Sequence, residues 1–144
     1  MEKIPTGVPI FAGLDDSALE LLMEGARSFS CQAGDVIVRE GESSNEMFVI
    51  AEGSVRIWKG FGTPQQMELD LLKKNDFFGE MCILETLPRA ATVQAVGDCE
   101  LVGVKSMAFY RLHSARPDQH GILVVNLARD LSRRIRALHR RFVV

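Results

Sequence analysis

What this chain lacks narrows its class before any motif is read. Its three cysteines, Cys31, Cys82 and Cys99, are odd in number, far apart and without a C-x-x-C pair. That disfavours both a disulfide scaffold and a zinc knuckle. There is no long apolar run, and no basic start followed by an apolar stretch. Neither a signal peptide nor a membrane span is therefore expected, and a reducing cytoplasm is the default. Histidine is scarce: His113, His120 and His139 all fall in predicted helices after the last strand, and no two have metal-ligand spacing. No G-x-S-x-G elbow is present and no Ser or Cys has a readable basic partner, so neither an enzyme nor a metal site is expected. An excess of charge is missing too: the net charge is -2 and the pI about 5.9, unlike a surface given over to nucleic acid. The distribution is less even. Acidic residues crowd the first half (Asp15, Asp16, Glu20, Glu24, Glu40, Glu42, Glu46), and arginines collect at the end (Arg129, Arg133, Arg134, Arg136, Arg140, Arg141). A solvated helix flank is the commoner reading of those arginines.

What is present fits one domain over residues 1–144, with 47% hydrophobic residues to fill a single core. A helical lead covers about residues 9–28, strands about 29–105 and helices about 106–144. In the lead, Asp15 or Asp16 can cap a helix carrying Leu19, Leu22, Met23 and Ala26 at helical spacing. From Phe29 onward the period changes to short strands near 36–39, 47–51, 54–59 and 66–72, with a further run at 100–104 that closes a barrel. Glu52-Gly53-Ser54 reads as a tight hairpin and Gly60-Phe61-Gly62-Thr63-Pro64 as a longer one. Apolar and polar residues alternate strictly over Gln66 to Leu71, which predicts a core face through Met67, Leu69 and Leu71. Many short strands at this spacing fit a jelly-roll barrel. Cupin-like metal enzymes share that shape, but their histidine ligands are not here.

The stretch that carries chemistry is FFGEMCILETLPRAATVQA, Phe77 to Ala95. An aromatic pair anchors a strand end, Gly79 allows a sharp turn, and a short helix over Met81, Cys82, Ile83 and Leu84 leaves its first N–H groups pointing at whatever sits in front. Pro88 ends the excursion and delivers Arg89 at the start of a small-residue strand, Ala90-Ala91-Thr92-Val93. A guanidinium can grip two phosphate oxygens, whereas a carboxylate can only accept and so suits a sugar hydroxyl.

These residues resemble the phosphate-binding cassette of the cyclic nucleotide-binding domain family, in which F-G-E precedes a short helix and R-A-A-T-V. Here they are Phe78-Gly79-Glu80 and Arg89-Ala90-Ala91-Thr92-Val93. The resemblance extends to the lead Ile10-Phe11 with Gly13-Leu14-Asp15 and to the corner glycines Gly34, Gly41 and Gly53. It implies a mainly β fold, a double-stranded β-helix (jelly-roll) barrel with an N-terminal helix and a long C-terminal helix. It implies that Glu80 accepts a ribose 2'-hydroxyl and that Arg89 pairs with the cyclic phosphate, with Phe78, Gly79, Met81, Cys82, Ala90 and Ala91 completing the ligand set. Cys82 departs from the small residue usual in the family. Ala90, where cGMP-selective members carry Thr or Ser, tilts the ligand towards cAMP, with cGMP as the alternative. By position, Leu138 and His139 are the candidates for the base.

The last helix carries Val124, Ala128, Leu131, Ile135, Leu138 and Phe142 alternately four and three residues apart. This seam suits either a parallel two-stranded coiled coil or packing on the chain's own barrel, and the resemblance favours the homodimer. Ser106 is expected to cap the short helix before it. The expected function is a cyclic nucleotide sensor that moves its C-terminal helix, with a protein effector downstream. A degenerate interaction or dimerisation module is the alternative. Family activators continue into a helix-turn-helix, whereas this sequence runs only to Val144, so direct DNA binding is not expected of it, and neither is membrane binding.

Overall fold

The computed structural model describes residues 7–84 and 87–142. A 3-10 turn, Pro9–Phe11, leads to α1 (Asp16–Met23), and the strands follow: β1 (Arg27–Cys31), β2 (Val36–Val38), β3 (Glu46–Glu52), β4 (Ser54–Lys59), β5 (Met67–Lys73) and β6 (Phe77–Phe78). The short α2 (Met81–Leu84) precedes β7 (Thr92–Ala95) and β8 (Cys99–Lys105), and α3 (Ser106–Ala115) and α4 (Pro117–Phe142) complete the chain. The strands form two four-stranded antiparallel sheets, ordered β1-β8-β3-β6 and β2-β7-β4-β5. Among the described residues no ladder joins the two, so the strand pairing shows two facing sheets rather than one closed barrel.

Period-two alternation explains how the first sheet holds two cores at once. On β3, Met47 and Val49 are buried with Phe77, Val102 and Val104 beneath the helices, while Phe48 and Ile50 are buried with Phe78, Val93 and Leu101 between the sheets. The aromatic pair Phe77-Phe78 is thus split, one ring to each core. Phe78 stacks on Phe48 with ring centroids 5.1 Å apart. The helical core is filled by Leu22 of α1, Phe109 and Leu112 of α3, and Leu123 and Leu127 of α4.

Several local expectations change. Asp15 does cap α1, accepting from the Ala18 N–H at 2.9 Å, but the helix stops at Met23, short of Ala26. Ser106 is the first residue of α3 rather than its cap. Its N–H donates to the Asn45 carbonyl at 2.8 Å. Gly53 does not close a hairpin: β3 and β4 belong to different sheets, and Gly53 turns the corner between them at φ +91°. A Cβ there would lie 2.5 Å from the Asp98 carbonyl oxygen and 2.9 Å from Cys99 Sγ. On β5 the predicted core face holds only at Leu69, which is half-buried, whereas Met67 and Leu71 are exposed and Leu72 is buried. Ile57 pairs with Asp70 but Trp58 with Glu68, so Leu69 is a bulge that shifts the phase of the strand.

One buried carboxylate braces the first sheet. Glu46 accepts from Arg27 Nε at 3.0 Å and Nη2 at 2.9 Å, and Lys105 Nζ lies 3.6 Å away. Its carboxylate occupies the space above Gly103 that any side chain would fill. Burial alone would raise its pKa, but the Arg27 hydrogen bonds and the two positive charges outweigh burial and hold it below the usual carboxylate value. A depressed folded-state pKa stabilises the fold above the unfolded value, about 4.3, and that contribution is lost as pH falls through the folded value. The urea midpoint is therefore expected to fall on acidification below about pH 4.5, with a shallower fall in Glu46→Gln; parallel pH profiles would remove this role from Glu46.

Candidate functional site

A cavity of about 280 Å³ opens between the second sheet, the Gly79–Ala91 segment and α4. Its size is near the lower end of small-ligand sites, roughly 300–1,000 Å³. Phe78, fixed by its stack on Phe48, forms part of the wall, and the chain turns after it at Gly79 with φ +80°. A Cβ on Gly79 would collide with Arg89 Nη1 and lie 3.1 Å from the Glu46 carbonyl oxygen. The glycine is what lets the guanidinium lie against the backbone. Arg89 is set by two backbone bonds to the neighbouring corner, its N–H donating to Glu42 O and its carbonyl accepting from Gly41 N, both at 2.8 Å. The Arg89 guanidinium carbon also lies 5.5 Å from the Phe48 ring centroid.

Of the residues anticipated from sequence, Phe78, Gly79, Glu80, Met81, Arg89, Ala90, Ala91 and Leu138 all line this cavity. His139 does not; it is exposed on α4. The Cys82 backbone lies in α2, and its side chain lies outside the described residues, as does that of Phe142. Val38, Ile57, Leu69, Leu72, Val93 and Leu87 supply the apolar wall.

Two charged residues in the lining were not anticipated. Asp70 is brought in by the β5 bulge, and its Oδ1 accepts from the Leu71 N–H at 2.8 Å. Arg134 reaches in from α4, where its Nη2 donates to the Phe77 carbonyl at 2.8 Å and its Nη1 lies 3.6 Å from Glu80 Oε1. Nε is 2.7 Å from Asp130 Oδ2 one turn back, and the guanidinium carbon lies 4.5 Å from the Phe77 ring centroid. The buried carboxylate predicted to read a sugar hydroxyl is therefore also an anchor point for the last helix. Sequence held a usable signal for Arg134: it follows Leu127 and Leu131 at helical spacing and so continues the inward face.

The cavity thus joins a cation at a backbone turn, a buried acceptor and an apolar wall, which suits a small ligand with an anionic group, a hydroxyl and a flat or apolar part. Residues 28–116 match the family profile described as the cyclic nucleotide-binding domain. The chain belongs to the cyclic nucleotide-binding domain family. It is 34% identical over 116 residues to a cyclic nucleotide-gated potassium channel of Mesorhizobium japonicum, covering 81% of this chain and 31% of the channel. It is 29% identical over 130 residues to the cyclic AMP receptor protein of Thermus thermophilus, covering 90% and 58%. Among solved structures, Thermus thermophilus catabolite activator protein aligns with a TM-score of 0.74 at 29% identity, over 90% of this chain and 59% of that one. The regulatory domain of Toxoplasma gondii PKA, solved with cAMP, aligns with a TM-score of 0.71 at 28% identity, over 88% and 46%. The cyclic nucleotide-binding domain described here spans about a third of the channel relatives' length.

Proposed function

We propose that this cyclic nucleotide-binding domain is a non-enzymatic sensor that takes cAMP in preference to cGMP and reports occupancy through α4. The observation that carries the reading is the convergence of Gly79, Glu80 and Arg89 on one cavity that Arg134 of α4 also lines. Arg89 takes the cyclic phosphate and Glu80 the ribose hydroxyl, with the base against the apolar wall beside Leu138. Asp70 supports the choice of base. With the base's 6-position facing Asp70, the carboxylate accepts from adenine's amino group and meets guanine's oxygen acceptor; a pose that turned guanine's N1–H and 2-amino donors to Asp70 would reverse the preference. Ala90 offers guanine no hydroxyl. The strand orders of the two sheets support a jelly-roll reading of residues 29–105 within a domain spanning the chain.

Coupling follows from the contacts of α4. Its first half is tied to the lead: Gln119 Oε1 accepts from the Asp15 N–H at 2.8 Å, and Asn126 Nδ2 donates to the Ile10 and Ala12 carbonyls at 3.1 and 2.8 Å. Its second half is held to the first sheet by Arg134. A ligand hydroxyl on Glu80 changes what Arg134 can hold, and only such differential contact can shift the helix. The predicted seam is divided in the structure. Leu131 packs against the core, whereas Val124, Ala128, Ile135 (52% exposed) and Leu138 (42% exposed) remain open. That open stripe supports a homodimer through α4, with a cytoplasmic protein effector reading its position.

Calorimetric titration with cAMP and cGMP tests the ligand. Micromolar or tighter cAMP binding is expected, with weaker cGMP binding and a ratio narrowed several-fold in Asp70→Asn. No heat with either nucleotide would move the domain to the reading of a dimerisation platform. For the coupling, a spin label on α4 and another on β5 are expected to change separation when cAMP is added. Arg134→Ala is expected to abolish that change, at a cost to α4 docking of about 1 kcal/mol.

A further inference from the structure

The sequence separates its cysteines, but the fold brings two of them face to face. Cys31, the last residue of β1, pairs directly with Cys99, the first residue of β8. Directly opposed residues of an antiparallel pair project from the same face with Cβ atoms about 4.5–5.5 Å apart, and both thiols belong to the core between the sheets. Their Cα separation in such a pair, about 4.5–5.5 Å, falls within the span a disulfide bridges, about 4.4–6.8 Å. Both are free thiols, and Cys99 Sγ lies 3.1 Å from the Ser54 carbonyl oxygen and 3.3 Å from that of Gly97.

We propose that Cys31 and Cys99 form a cross-strand dithiol that low-molecular-weight disulfides such as oxidised glutathione convert to an intramolecular disulfide. The two thiols differ in access. Cys31 is 9% exposed on β1, an edge strand, whereas Cys99 is 2% exposed on the interior strand β8. Cys31 is therefore the attacking thiol and Cys99 the resolving one. The Cys31 thiolate attacks one sulfur of glutathione disulfide and expels one glutathione thiolate, giving a mixed disulfide. The Cys99 thiolate then attacks Cys31 Sγ and expels the second. The protein loses two protons and two electrons, and one glutathione disulfide takes them up to become two glutathiones. Burial, followed by the neighbouring Cys99, pushes the Cys31 thiol up, so exchange is slow at neutral pH and quickens as pH rises. The bridge closes a loop of roughly 70 residues that contains the whole Gly79–Ala91 segment, so the oxidised protein resists unfolding more than the reduced one.

The test equilibrates the intact chain with graded mixtures of oxidised and reduced glutathione, traps thiols with iodoacetamide in denaturant and maps the peptides by mass spectrometry. A peptide linking Cys31 to Cys99 is expected to increase with the oxidised fraction and to vanish with dithiothreitol, with a higher melting temperature in the linked form. Cys99→Ala is expected to leave Cys31 as the glutathione mixed disulfide. Alkylation of both residues across the series, or linkage through Cys82 alone, would overturn the proposal.

Discussion

Arg89→Ala is expected to weaken cAMP binding by about 2–5 kcal/mol, roughly 30-fold to several thousand-fold in Kd, while the folded domain persists. The magnitude follows from where the guanidinium sits. It lies in the cavity wall, against the backbone at Gly79 and beside the Phe48 ring, where water screens a phosphate less than it would on the surface. Losing the cation leaves a bound phosphate partly desolvated without its forked partner. Arg89→Lys keeps the charge but not the fork, and is expected to recover only part of the loss. Calorimetry at two salt concentrations, with circular dichroism as the control for folding, measures both variants. Unaltered cAMP affinity in Arg89→Ala would remove Arg89 from the phosphate role.

How much of this site could be read in the sequence depends on how local each feature is. Phe78-Gly79-Glu80 and Arg89 were legible because a turn, a short helix and a proline set their geometry within a dozen or so residues. Asp70 was hidden by strand phase. The alternation of Met67, Leu69 and Leu71 indicates an inward face, but the bulge at Leu69 buries Leu72 and brings the exposed Asp70 to the cavity lining beside Leu69, and a bulge is fixed by pairing with β4 rather than by composition. Gly53 shows the same limit at the level of topology. Two strands joined by one glycine look like a hairpin, and whether they pair or part into separate sheets is decided by distant partners such as β8 and β7. For α4, the apolar seam was visible, but that Leu131 packs on the core while Val124, Ala128, Ile135 and Leu138 stay open depends on the neighbouring stripe of Leu123, Leu127 and Arg134, which faces the core and the first sheet. Cys31 and Cys99 meet only through the β1–β8 register, which has no local signature.

Gly79→Ala is the complementary expectation, because it deletes no ligand-binding group yet is expected to damage the site nearly as much as losing Arg89. The backbone at φ +80° is left-handed, which costs an L side chain about 1–2 kcal/mol. The added methyl also falls on Arg89 Nη1 and within 3.1 Å of the Glu46 carbonyl, so either the guanidinium moves or the turn separates from β3. The guanidinium is the end of a flexible side chain and the carbonyl is part of a paired strand, so the arginine is the group that yields. Stability is expected to fall by about 1–3 kcal/mol, read from urea unfolding, and cAMP affinity by at least about tenfold. Native-like stability together with native-like binding would mean that the turn relaxes without moving Arg89. Reduced stability with intact binding would place the displaced contact at Glu46 instead, on the β3 side of the turn. In the double variant Gly79→Ala with Arg89→Ala, the side-chain obstacle is gone. The binding losses are then expected to be well short of additive, because both substitutions act on the position of the same guanidinium.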